Sequence, residues 1–384
     1  MTNHITPRPT QWATIRSKMR GFTLVEILVA TSIGLIILAA VSQIFVTSRS
    51  TFTLEEGLAR LQENGRFSME FIGQDVRMSG NLGCLQKYSV LAGTIVDPVT
   101  NQLNNNTDYG WDFSAGQHLR GHTYTGGGTG TTLADWTPAL PGTINGLTYF
   151  TDGDVSAKSD VLMIRRALTA SFKLSQATTA TGPVRIADPG TVLQTNDIVL
   201  ITDCNGGDIF QITGITPSGP DVDLAHVGGA DPGNVATDLS RAYGINSEVS
   251  QVVTRVYYVG PGTDGVTPTL YRKDISSGAV SAVPPQPLVD NVEIMRVLYG
   301  EDTDSPSDNQ ANIYRQANNV VNWTDVVSMR IALLVRTAEN SGPDFDTKTY
   351  NLAGISVDPT SPAPDDRRQR RVFTSTIQLR NPIP

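Results

Sequence analysis

The strongest pattern along the chain lies near its start. Ile27 to Val46 is a run of twenty residues without a charge, preceded by Phe22-Thr23-Leu24-Val25-Glu26 and by the basic residues Arg16, Lys18 and Arg20. A bilayer's hydrocarbon core is about 30 Å thick and takes roughly 20 apolar helical residues to cross. The run is apolar on all sides, so it predicts a membrane-length helix. After it the pattern becomes amphipathic. Leu54, Leu58, Leu61, Ile72 and Val76 keep helical spacing, with Phe67 and Met69 nearby, while Glu55, Glu56, Arg60, Glu63, Arg66, Glu70 and Asp75 take other positions. Such a stripe packs on the protein's own body or on neighbouring helices. No proline falls between Pro9 and Pro98, so one helix is expected over 22 to about 79. Gly34, Gly57, Gly65 and Gly73 each weaken it, by about 1 kcal/mol relative to alanine.

Beyond residue 80 the period changes. Residues 81–158 are rich in Gly, Thr, Asn and Asp and read mostly as loop. Strand-like runs then follow: Val161–Arg166, Ile198–Thr202, Ile209–Thr213, Val252–Val259, Thr269–Arg272, Val292–Tyr299, Val326–Arg336, Lys348–Leu352 and Val372–Leu379. The expected fold class is α+β, a long N-terminal helix with a transmembrane first half, packed on a C-terminal antiparallel β-rich globular domain. The expected division is 1–21, a leader; 22–80, a helical stalk with a transmembrane segment at 22–46; and 81–384, the β-rich body. No internal repeat is visible.

Composition supports this order. The 384 residues leave room for a large core beyond one helix. Glycine (35) and proline (22) favour strands and loops. Net charge is −8, and an acidic chain carries no electrostatic footprint for nucleic acid. Basic residues before the helix and an acidic body after it place the N-terminus in the cytoplasm and export the rest.

One carboxylate, Glu26, stands at the head of the apolar run. A charge there costs on the order of 3 kcal/mol on insertion scales, so it marks a function. The basic leader and the Gly21-Phe22 junction precede the apolar run, whereas a secretory signal has its cleavage site after it. Gly21, Phe22, Thr23, Leu24, Val25 and Glu26 match the processing motif of the type IV prepilin family at every position. The chain resembles that family. The resemblance implies cleavage between Gly21 and Phe22 by a prepilin peptidase, N-methylation of Phe22, and a Glu26 that pairs with the terminal amine of a neighbouring subunit. Cleavage removes four basic residues, Arg8, Arg16, Lys18 and Arg20, and takes the net charge from −8 to −12. Many major pilins have a helix-breaking proline in the stalk, and this chain does not.

Four further segments sharpen the resemblance, towards minor pilins of the PilW type: Ala59–Phe67 on the helix, Asp203-Cys204, Leu298–Asp304, and the ending Arg370–Asn381. The partners implied are other minor and major pilins, the prepilin peptidase, the inner-membrane assembly machinery, and membrane lipid before assembly. The implied location is the bacterial inner membrane with the body in the periplasm, then the cell-surface pilus. The implied role is a structural subunit that helps to prime pilus assembly. A pseudopilin of type II secretion shares the same leader. A tip adhesin using the loops at 100–158 and 301–322 is the reading from another class.

Other chemistry is sparse. An exported body permits a disulfide between Cys84 and Cys204, stapling the end of the stalk to the body; two free buried thiols are the alternative. Closing that loop stabilises by roughly 4–5 kcal/mol in the chain-entropy model. His118 and His122 are four apart in apparent loop, without the intervening Glu of a zinc protease. Asp302, Asp304 and Asp308, with Glu301 beside them, are a weak calcium candidate, because the twelve-residue loop with its Gly and terminal Glu is missing and Pro306 interrupts it. The blander reading is a solvated acidic turn. Gly126–Gly130 lacks the Lys-Ser/Thr of a phosphate cradle. Arg367-Arg368-Gln369-Arg370-Arg371 reads as an edge with locally paired charges. No cofactor site and no nucleophile–base–orienter set can be named, so no enzyme is expected.

Overall fold

The computed structural model describes residues 21–380, apart from 86–88, 92–93, 97, 105, 115, 128–130, 230, 279–281, 343 and 359–365. The leader before Gly21, with His4, and some of the Gly126–Gly130 run therefore lie outside the described residues. The chain divides into two compact units, one ending at Leu54 and the other running from Glu55.

A single helix of 54 residues spans Leu24–Arg77. At 1.5 Å per residue it is about 80 Å long. Its first half is exposed on every side, from Leu24 and Val25 to Phe45 and Phe52. Its 18-residue apolar window is long and hydrophobic enough to cross a membrane by length and composition. The second half, within the second unit, buries Leu61, Gly65, Ser68, Ile72, Gly73, Asp75 and Val76. This stripe differs from the expected one: Leu58 and Phe67 are exposed, and the small residues Gly65, Ser68 and Gly73 lie at the contact instead.

The reason is how closely the helix approaches the sheet. A Cβ added at Gly65 would meet the Phe373 ring at 2.3 Å, and one at Gly57 would meet Thr337 at 3.3 Å. At Gly73 the nearest atom, the Ile377 Cδ1, is 3.5 Å away, an ordinary contact. Gly65 and Gly73 should therefore respond oppositely to alanine. Gly73→Ala is expected to stabilise by about 1 kcal/mol through helix propensity. In Gly65→Ala the overpacking, about 1–3 kcal/mol, offsets or exceeds that gain. Urea midpoints of the two variants, measured side by side, check the difference.

Among the described residues, the β-rich body is built from several sheets, antiparallel in all but one strand pair. The largest has nine strands. Its main path runs Val99–Asn101, Gly207–Gln211, Ile198–Thr202, Glu248–Pro261, Val161–Lys173, Leu119–Tyr124 and Trp136–Thr137, and Pro268–Ile275 and Gln286–Asp290 extend it from Glu248–Pro261. One pair, Gly207–Gln211 with Val99–Asn101, is parallel. A four-stranded sheet orders Ile313–Arg315, Val292–Glu301, Val326–Arg336 and Arg370–Gln378. A three-stranded sheet joins Gly214–Ser218, Asp221–Ala225 and Val184–Ala187. The continuous apolar runs Ile198–Thr202 and Val326–Arg336 become interior strands, buried along nearly their whole length. Lys348–Leu352 shrinks to Tyr350–Leu352.

The helix contributes Leu61, Ile72 and Val76 to a core shared by both large sheets. Leu162, Ile164, Tyr257 and Val259 come from the nine-stranded sheet; Met295, Met329, Ile331 and Ile377 come from the four-stranded one.

Candidate functional site

The first candidate site is the head of the helix. Glu26 Oε2 accepts hydrogen bonds from the Thr23 backbone N–H and from the Thr23 hydroxyl, both at 2.9 Å. The Glu26 N–H donates to Thr23 Oγ1 at 3.3 Å. This is a capping box, in which Thr23 and Glu26 satisfy two of the donors a helix leaves open at its N-terminus. The Thr-x-x-Glu spacing before an apolar run is the sequence signal for it, and hydrophobic periodicity alone passes over it. Both Thr23 bonds fall on Oε2, and among the described residues no cation of this chain pairs with Glu26. Gly21 and Phe22 lie exposed just before the helix, with nothing within 4 Å of a Cβ at Gly21.

The second candidate is the end of the same helix, where charge is buried. Asp75, 3 % exposed, was expected on the polar side of the helix; it faces inward instead. Its carboxylate pairs with Arg255 at 2.7 Å and with Arg166 at 3.0 Å, and accepts from the Tyr257 hydroxyl. All three partners sit on adjacent strands of the nine-stranded sheet. Burial, followed by the neighbouring Asp75 charge, pushes the Tyr257 phenol upward, so it stays a donor. The chain leaving the helix continues along the same sheet: Gly80 N–H donates to the Arg165 carbonyl and Ala167 N–H to the Asn81 carbonyl. Shortly after the helix-end turn, Cys84 is disulfide-bonded to Cys204, with Cα atoms 4.9 Å apart.

His122 lies on a strand, which corrects the loop expectation for it, whereas His118 stays in the bend just before that strand. Leu119–Tyr124 is a strand, and both imidazoles are buried. Four residues of extended chain separate their backbones by about 13 Å, too far for one metal. Burial, with the charges of Arg120 and Arg165 nearby, pushes the His118 imidazole down to about 4. Among the described residues neither of its ring nitrogens has a hydrogen-bond partner. Burial likewise pushes His122 down to about 4, against a 2.8 Å hydrogen bond to the Pro138 carbonyl. His226 lies against the Gly182 carbonyl at 2.9 Å.

The acidic turn is only partly solvated. Carboxylate oxygens of Asp302, Asp304 and Asp308 come within 4.8 Å of one another, with Asp302 buried and the other two exposed. The loop's own donors occupy them: Ser307 Oγ, Asn309 N–H and Asp304 N–H on Asp302, Asn312 Nδ2 on Asp304, and Gln310 on Asp308. Glu301 turns away to Arg315 at 2.8 Å and to the N–H groups of Val321 and Asn322. In the basic run, the Arg370 side chain is buried and pairs with Glu293, Asp346 and Asp366, at 2.7–3.0 Å. Arg368 pairs with Asp366 at 3.0 Å, whereas Arg367 and Arg371 lie over the rings of Phe345 and Phe373.

Comparison with known proteins gives two matches along the sequence. Residues 16–42 match the prokaryotic N-terminal methylation motif, and residues 256–381 match the family described as type IV pilus-assembly protein W, PilW. No curated protein matches. Among solved structures, a type IV-like pilin from Thermus thermophilus is 12 % identical, with a TM-score of 0.33, over 85 % of this chain and 98 % of that one.

Proposed function

We propose, from the premise that this chain is type IV pilin-like with a PilW-type assembly region, that it is a minor pilin that helps to prime the pilus. A prepilin peptidase would release residues 1–21 by cutting Gly21-Phe22, and Phe22 would be N-methylated. Residues 22–46 would hold the protein in the inner membrane, and the stalk to residue 80 would present the body, 81–384, to the periplasm. Other minor and major pilins and the inner-membrane assembly machinery would then draw the helix into the filament core. The role is structural.

The observation that carries this reading is Glu26. It is the acid at the head of an otherwise apolar, exposed helix; Thr23 takes its Oε2, and among the described residues nothing pairs with its Oε1. An ammonium supplied by a neighbour's processed Phe22 would complete it, because a buried charge is tolerable only when paired. Lateral packing of apolar helices supplies the rest of the association.

Mass spectrometry of sheared surface filaments tests the reading in a wild-type and a Glu26→Ala strain. The wild-type sample should contain this protein with a methylated Phe22 at its N-terminus. The variant should remain in the membrane fraction and fall about tenfold or more in the filaments, since about 1.4 kcal/mol of lost pairing already corresponds to a factor of ten. Normal incorporation of the variant overturns the pairing. An intact Gly21-Phe22 bond overturns the whole reading. Loss of pili with normal exoprotein secretion in a deletion strain separates a pilus from a type II pseudopilus.

A further inference from the structure

Arg370–Gln378 is the outermost strand of the four-stranded sheet. It pairs with Val326–Arg336 over nine residues without a bulge, and among the described residues no strand pairs with its other side. Leu379 N–H donates to the Val327 carbonyl at 2.9 Å, which fixes the parity. Odd-numbered residues turn their amides to the inner neighbour; Val372, Thr374, Thr376 and Gln378 turn theirs outward. Proteins usually blunt such an edge with proline, a bulge or a covering loop. Among the described residues the outward positions carry no proline and no bulge, and Thr374, Thr376 and Gln378 are exposed, the Gln378 side chain donating to the Asn309 carbonyl.

Beside this edge is a groove of about 620 Å³ between the strand and the helix. Gln62, Arg66 and Met69 line it from the helix, and Arg371, Phe373 and Thr374 from the strand. Phe67, 44 % exposed, sits at the same place. Arg66 and Arg371 outnumber the one acid of the lining, Glu63, and Arg380 is exposed at the strand's end. This is a locally basic edge on a chain of net charge −8.

We propose that this edge is a docking site for an extended, acidic segment of another protein chain. The segment would add as a strand beside Val372–Gln378, satisfying the outward amides, and would place alternate side chains in the groove under the helix. The backbone supplies the binding, Phe67 and Phe373 receive apolar groups, and Arg66 and Arg371 select for carboxylates.

The test uses the full chain in detergent and a short synthetic peptide alternating valine and glutamate, with a valine–lysine peptide as the control. The glutamate peptide should bind, weaken with added salt, and protect the amides of Val372, Thr374, Thr376 and Gln378 from hydrogen exchange. The lysine peptide should bind at least about tenfold more weakly. Thr374→Pro removes an outward N–H and leaves the inner ladder intact, so it should keep the thermal midpoint and weaken binding about tenfold. Arg66→Glu combined with Arg371→Glu should reverse the peptide preference, and does so without touching the backbone. Absence of binding, equal affinity for both peptides, or binding without protection of those four amides overturns the proposal. So does self-association in sedimentation that Thr374→Pro abolishes, because the occupant would then be a second copy of this chain.

Discussion

Asp75→Ala should destabilise the protein by about 3–5 kcal/mol, the usual cost of leaving a buried charge without its partner. The variant strands two guanidinium groups, Arg166 and Arg255, both nearly buried against the helix end. Arg255 keeps a longer contact to Asp274 at 3.4 Å, which places the effect towards the lower end of that range. Tyr257 also loses its acceptor. The full chain in detergent, unfolded in urea, should show the midpoint fall with little change in slope. A loss under about 1 kcal/mol would mean that the helix end is held by apolar packing alone. The paired replacements Asp75→Leu and Arg255→Met should recover some of the loss, since an apolar substitute for a buried pair is often neutral.

The protein should also lose stability as pH falls from 6.5 to 4. His118 and His122 each have a folded pKa near 4 against an ordinary value of 6.5, so the folded state favours neutral imidazole. Their contribution is fully present above pH 6.5. It declines as pH drops below that value, because the unfolded chain takes up the protons first, and is exhausted near pH 4. At about 1.36 kcal/mol per unit, each histidine accounts for roughly 3 kcal/mol across the window. The upper stretch of the window, from about pH 6.5 to 5, is diagnostic, since ordinary carboxylates do not yet titrate there. Urea midpoints measured across it should fall in the wild type and fall less steeply in His118→Leu. A flat wild-type profile would show that water reaches the imidazoles.

The features legible in the sequence were those in which one stretch of chain carries its own signal. The apolar run, the Gly21–Glu26 motif and the continuous strand Val326–Arg336 needed no knowledge of the rest of the fold. Strands with mixed composition stayed hidden. Leu119–Tyr124 contains arginine, glycine and histidine, and is buried because two layers close over it. Asp221–Ala225 alternates half-buried and buried positions, yet two aspartates disguise it. Asp75 was misplaced for a different reason. Helical periodicity assigns an acid to the wet face, and Arg255, which draws it inside, lies 180 residues further along. Gly65 likewise read as a weak point, whereas its missing side chain is what admits Phe373.

The contact of helix and sheet has a mechanical consequence. From Gly65 to Gly73 the helix advances along Arg370–Gln378 in the same direction, from Phe373 to Ile377. A tug on this stretch of the rod therefore drags it lengthwise across the sheet, so many contacts must slip together instead of peeling away in succession. Beyond that sliding surface the Cys84–Cys204 link is a covalent stop, limiting travel even after every weaker contact has yielded.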